Sequence, residues 1–280
     1  MAISISPFCF AHDGDHCHNP FFQHQAGITA GIQGVAGQYK IGTSQFDYYV
    51  TSIEAGYNYK NRFLSSIRIP FVSLQNNQSS DFLLSDLHAL LQGSVLVWNH
   101  TNFLSLGLNT EIPTGNDQKL VGGGHMHFRP YVGFQQNIGK VITYGQMGFV
   151  LATKDHDTNS TDHTHMSGFT SSHVDDHSPM SSHGNTIHGS VVDVHSSREA
   201  TFQFGAVTPV MDKLYFNASL AAQTVLTDVN ANVGDLYMTV NPAITLMLTE
   251  HSNATMFSQI PITRLQRFDY RIGAGINYIF

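Results

Sequence analysis

The chain has 280 residues, a net charge of −7 with histidine neutral, and 12% charged against 41% hydrophobic residues. That is about half the ~25% charged content of ordinary soluble domains. The acidic balance argues against nucleic acid as a partner, two cysteines exclude a disulfide framework and a zinc-ribbon core, and no apolar run approaches the ~18 residues of a membrane-spanning helix.

Residues 1–11, MAISISPFCFA, are apolar and end in the small-x-small pattern Cys9-Phe10-Ala11. They are predicted to be the remnant of a secretory signal peptide, with cleavage after Ala11 making His12 the mature N-terminus. Residues 12–25 follow as a His-rich segment with His12, His16, Cys17, His18 and His24. The remaining 26–280 read as one body, interrupted by a second acidic, His-rich stretch at 153–197. That stretch carries six Asp and one Lys, and residues 12–24 and 153–197 together hold twelve of the seventeen histidines.

The body alternates with period two, so apolar side chains share one face of a strand and polar or tiny ones the other. In chain order, Tyr49, Thr51, Ile53, Ala55, Tyr57 and Tyr59 alternate with Val50, Ser52, Glu54, Gly56, Asn58 and Lys60. Similar segments cover 62–71, 86–97, 104–111, 128–135, 214–223 and 236–248. The last one, RFDYRIGAGINYIF, sets Phe268, Tyr270, Ile272, Ala274, Ile276, Tyr278 and Phe280 against Arg267, Asp269, Arg271 and small residues. Weaker strands near 26–38, 141–152, 200–210 and 254–260 bring the number to twelve.

The predicted connections alternate long and short: 39–45 then 60–61, 75–83 then 99–101, 113–126 then 138–140, 153–197 then 211–213, 227–235 then 250–253, and finally 261–266. An even number of strands with short turns at one end and longer loops at the other is the pattern of outer-membrane barrels. A soluble sandwich or lipocalin-like barrel has no reason to alternate loop lengths in this way. The expected fold is therefore all-β, a twelve-stranded antiparallel transmembrane β-barrel of outer-membrane type in a Gram-negative cell. Its 153–197 loop is expected to be disordered and extracellular. Outer-membrane lipid would surround it, and barrel-assembly machinery would read the final strand ending at Phe280.

In the middle third, NTEIPTGN (109–116), VGGGHMHFRPYVGFQQNIGK (121–140) and YGQMGF (144–149) resemble the outer-membrane transporters grouped as the MetA-pathway phenol-degradation family. The resemblance rests on a strand ending in a PTG loop, a Gly-rich segment, a P-x-x-G strand and a Gly-rich return strand, over about 40 residues. It implies a twelve-stranded barrel that passes small, often aromatic molecules. The His-rich loop and N-terminus depart from that pattern.

Those departures carry the most distinctive chemistry. His156, His163, His165, His173, His177, His183, His188 and His195, with Met166 and Met180, stand in a Ser/Thr/Asp-rich context too polar to form a core. Imidazole binds Cu²⁺ and Zn²⁺, and thioether adds affinity for Cu(I). The irregular spacing predicts several weak, exchanging sites rather than one structural zinc site. His125, Met126 and His127, at the start of a strand, form a further candidate cluster. Copper or zinc ions are thus expected as bound cargo, with no obligatory cofactor. The alternative is a solvated loop whose histidines have no specific role.

Alternation points Glu54, Arg62, Arg68, Asp86, His88, Glu111, Arg129, Arg267, Asp269 and Arg271 into the lumen, where they would either pair and plug it or line a small pore. The functional expectation is a channel for small solutes with metal-handling segments. A closed barrel serving as a metal-binding or adhesion platform is the alternative. A hydrolase is a distant third, because no G-x-S-x-G, H-E-x-x-H or phosphate-binding loop occurs.

Overall fold

In a computed structural model, the described residues are 26–41, 44–60, 62–76, 79–98, 102–116, 121–122, 124–153, 198–227 and 233–280. The predicted signal remnant, the 12–25 segment and nearly all of the 153–197 loop lie outside them. The described chain runs through β1 (Ala26–Ile41), β2 (Ser44–Tyr59), β3 (Phe63–Asn76), β4 (Ser79–Leu84), β5 (Leu87–Trp98), β6 (Asn102–Ile112) and β7 (His127–Ile138). It continues through β8 (Val141–Ala152), β9 (Arg198–Met211), β10 (Leu214–Thr227), β11 (Leu236–Met247), β12 (Ser252–Pro261) and β13 (Phe268–Ile279).

Apart from β4 and β5, strands adjacent in sequence pair antiparallel, and β1 pairs with both β2 and β13, so the sheet closes on itself. Segments β4 and β5 pair successively with the same strand β3, at Phe71↔Leu84 and Arg68↔His88. They are two halves of one stave broken at Ser85 and Asp86, and the cylinder has twelve staves. Pairing of β1 with both β2 and β13 closes the cylinder, as a hydrocarbon surrounding requires.

The two faces follow the alternation. Ile32, Ile67, Leu106, Phe204 and Ile272 point outward and stay exposed, while Ser52, Arg68, Asn109, Gln203 and Asn241 point inward and are buried. Exposed aromatics gather near the ends of the staves. Tyr57, Tyr59, Phe63, Trp98, Tyr278 and Phe280 ring the short-turn end, and Tyr49, Phe82 and Phe149 lie toward the other. Amphipathic rings favour this level of a bilayer.

Two expected loops turn out to be mostly strand. The ladder of β1 and β2 continues to Ile41↔Ser44, and that of β3 and β4 to Asn76↔Ser79. The 39–45 and 75–83 segments are polar enough to read as loops, but backbone pairing in a hairpin needs no apolar face. The short-turn end matches expectation closely. Gly139, at φ 64°, lies in the two-residue connection between Ile138 and Val141, the left-handed conformation such hairpin turns require.

A further departure occurs in β13. Pairing slips between Gln38↔Tyr270 and Tyr39↔Phe268, leaving Asp269 as the extra residue of a bulge. Phe268 is consequently buried inside the barrel instead of facing outward.

Candidate functional site

The interior collects chemistry-bearing side chains from distant parts of the described chain. Register brings five titratable residues into one lateral row. Glu54 stands opposite Arg68, Arg68 opposite His88, His88 opposite Glu111, and Glu111 opposite His127. Directly opposed side chains on one face of a sheet lie within interaction distance, so the row sets two acids among three basic groups across β2, β3, β5, β6 and β7.

The contacts follow from that order. Both Nε and Nη2 of Arg68 donate to Glu54 Oε2, at 3.4 and 3.3 Å. The Glu111 carboxylate lies 3.3 Å from His127 Nδ1 and 3.7 Å from Arg129 Nη2. Arg68, His88, Glu111, His127 and Arg129 are all buried, so each charge depends on its neighbours rather than on water. His125 packs edge-on against His127 with ring centroids 4.3 Å apart, and Met126 is half-buried beside them. The structure therefore brings His125 and His127 together, but His127 also lies against Glu111. Among the described residues no group of three or more His, Cys, Asp or Glu forms a metal-binding cluster. The remaining candidate metal ligands (His12 to His24 and His156 to His195) fall outside the described residues.

A second charged group sits across the barrel. Arg267 pairs with Glu199 and donates to the Gln223 side-chain oxygen, while its guanidinium lies 4.1 Å from the Tyr237 ring centre. Arg271 stacks over Phe268 at 4.0 Å and faces Tyr48 at 5.8 Å, and it donates to Gln259 Oε1 at 3.4 Å. The inward turn of Phe268 thus supplies an aromatic face for a buried cation. Glu199 escaped the sequence reading, which began the strand at residue 200. Its signal was its place in step with Gln203 and Gly205. Asp269 is half-buried at the bulge. Arg62 is exposed in the turn between β2 and β3 rather than inside.

Asp86 has a different task from the lumen-lining one expected of it. Fully buried at the break between β4 and β5, its Oδ1 accepts hydrogen bonds from the backbone N–H groups of Thr114 and Gly115, at 2.9 and 2.8 Å. The Thr114 hydroxyl donates to the Ser85 carbonyl at 2.9 Å, and Ser85 Oγ donates to the Val121 carbonyl at 2.5 Å. Val121 is itself fully buried with Tyr48, Val50 and Val72 on the inner face of β2 and β3. The PTG segment after β6 is therefore latched to the strand break, and Val121 packs against the inner face of β2 and β3.

The rest of the lining divides into a neutral polar wall and a glycine-rich one. On the neutral side, Gln203 and Asn241 both donate to Ser219 Oγ at 3.3 Å, and the Tyr144 hydroxyl donates to Asn217 at 3.0 Å. On the glycine-rich side, the inward positions of β1 and β13 include Gly27, Gly31, Gly37, Gly273 and Gly275, and the Asn277 amide, the Tyr48 ring and the Phe257 ring occupy the space at Gly31, Gly37 and Gly273. A small recess of about 30 Å³ lies there, with Gln33, Ser52, Glu54, Arg68, Thr255 and Asn277 in its lining.

No family model matches the chain, so the MetA-pathway resemblance gains no support from that side. No curated protein matches either. Solved structures do. The COG4313 outer membrane channel from Pseudomonas putida F1 superposes with a TM-score of 0.61 at 12% identity, covering 91% of this chain and 96% of that one. The NanC porin gives 0.54 at 8% identity over 90% and 98% of the two chains, and the KdgM porin 0.51 at 9% over 90% and 99%. The fold is thus that of outer-membrane barrels.

Proposed function

We propose that this chain is a channel of the Gram-negative outer membrane for small solutes. The observation that carries the reading is the closed cylinder of twelve staves with a hydrophilic inner face, in which a small polar recess lies beside Gly31 and Gly275. An apolar outside and a hydrophilic inside fit a bilayer, and the structural neighbours are described as a channel and porins. A non-enzymatic role accords with them. The latched PTG segment favours a second reading, a closed barrel serving as a surface platform, because it sets Val121 against the inner face of β2 and β3.

Single-channel recording in planar bilayers separates the two. The channel reading expects discrete ohmic steps from folded protein, and the absence of current from a heat-modifiable, folded barrel overturns it.

The His-rich segments extend the proposal to capture of copper or zinc at the barrel mouths, supported by the chemistry of eight histidines and two methionines between residues 153 and 197. Deleting residues 155–195 is expected to remove most of the bound copper or zinc at saturation, measured by elemental analysis after dialysis. An unchanged metal-to-protein ratio overturns the loop's role. Outer-membrane lipid and the assembly machinery that reads the strand ending at Phe280 complete the proposed partners.

A further inference from the structure

Inward positions of an outer-membrane barrel are ordinarily polar, yet one inward row of this barrel is apolar almost throughout. At the short-turn end, Ile142, the second residue of β8, stands opposite Val207 on β9. Val207 is opposite Asn217, Asn217 opposite Ala243, and Ala243 opposite Phe257. From Phe257 the row passes to Gly273, whose Cβ position the Phe257 ring occupies, and on to Val35. Val35 is opposite Val50, Val50 opposite Val72, and Val72 opposite Leu83 on β4. The row therefore climbs round the inner wall from the short-turn end to the long-loop half.

These residues pack as well as align. Ile142, Val207, Ala243 and Phe257 belong to one buried apolar cluster, Val50, Val72 and Val121 to another, and Val35 lies against both, so the seam is continuous. Its one amide, Asn217, accepts a hydrogen bond from the Tyr144 hydroxyl. The flanking rows are polar, with Thr255, Gln33 and Ser52 on one side and Ser219, Asn241 and Arg271 on the other. A side chain lining a water-filled pore keeps its lumen side exposed, but Val72 and Val207 are 0% and 1% exposed. The seam is thus covered and dry, as apolar surface favours. An ion crossing it sheds hydration and gains no polar partner in exchange, and apolar constrictions close pores by this dewetting. Resting on the channel reading above, we propose that the seam is a hydrophobic gate, which shuts the lumen to ions while it is packed and conducts when it parts and wets. Its long-loop end is tied to the latch, because Val121 packs on Val50 and Val72 while its carbonyl accepts from Ser85, beside Asp86.

The test uses purified full-length protein in planar bilayers and the double variant Val50→Thr/Val72→Thr, which keeps side-chain volume and adds two hydroxyls to the seam. The mean current per inserted barrel is expected to rise at least threefold. Val132→Thr, the same exchange on the lipid-facing side of β7, is expected to leave it unchanged. A second readout needs neither current nor a variant. In detergent-solubilised, methyl-labelled wild type, magnetisation transfer from water to the methyl groups of Val50, Val72 and Val207 is expected to be absent, and clear transfer to them overturns the dry seam. Equal currents from wild type and the folded double variant overturn the gate and leave the channel standing. Current from the double variant with none from wild type supports the gate in its shut form. No current from either overturns the channel reading itself, and the gating role with it.

Discussion

The inner face of β2–β7 and that of β8–β12 solve one packing problem with different chemistry. The first stacks Glu54, Arg68, His88, Glu111 and His127 along a single row, with Arg129 beside Glu111. The second is mostly amide and hydroxyl, as in the Gln203–Ser219–Asn241 chain and the Thr245–Thr255 contact at 3.0 Å. A neutral network loses little when one member is removed, because each remaining group is only a dipole. A charged row is less forgiving, since every truncation leaves an opposite charge buried. The two halves of the lumen should therefore differ in fragility, and the charged half is where electrostatic control of a permeating species would reside.

The sharpest way to break that contrast is Glu111→Ala. It strips the acid from between His127 and Arg129, both buried, and an uncompensated buried charge costs about 3–5 kcal/mol. Urea titration followed by the heat-modifiable gel shift is expected to show a loss of that size. A loss no greater than that of a neutral-wall variant would erase the distinction.

Asp86→Ala comes next. It removes two hydrogen bonds to the backbone of Thr114 and Gly115, and bonds to a charged group contribute about 1.5–3 kcal/mol each. Because the freed donors sit near the barrel mouth, part of that loss is recovered by water, and a stability decrease of about 2 kcal/mol is expected. The more telling readout is conductance. Release of the latch is expected to widen the mouth and raise single-channel conductance about twofold, whereas an unchanged conductance would show that the PTG segment does not limit flow.

The charged and neutral halves were not equally legible from sequence. Alternation alone identified the outward face, the twelve staves and the inward side of most charged positions, because a period of two survives any choice of neighbours. It carries no register. Glu111 and His127 are each visible as isolated residues, but only the pairing of β6 with β7 shows that they touch. Phe268 was assigned to the wrong face because a one-residue bulge at Asp269 reverses the parity behind it. Asp86 looked like a lumen charge for the converse reason. Its parity is inward, but the strand stops there, and the carboxylate turns to the backbone of a loop 28 residues away. Glycines such as Gly107 had a readable purpose only once the cross-strand partner was known, since the Tyr131 ring occupies the position of its missing Cβ.

The smallest expected effect belongs to the neutral wall. Ser219→Ala removes the acceptor shared by Gln203 and Asn241 but leaves two neutral amides beside other polar groups of the same wall. Ordinary neutral hydrogen bonds contribute about 0.5–1.5 kcal/mol net, so a loss near 1 kcal/mol is expected in the same urea titration, with ion selectivity unchanged. The diagnostic quantity is the ratio to Glu111→Ala. A ratio of about one to three or smaller supports two walls of different fragility. Near-equal losses would mean that burial, rather than charge, sets the sensitivity of this lumen, and the row of acids and bases would then be no more specialised than the amides facing it.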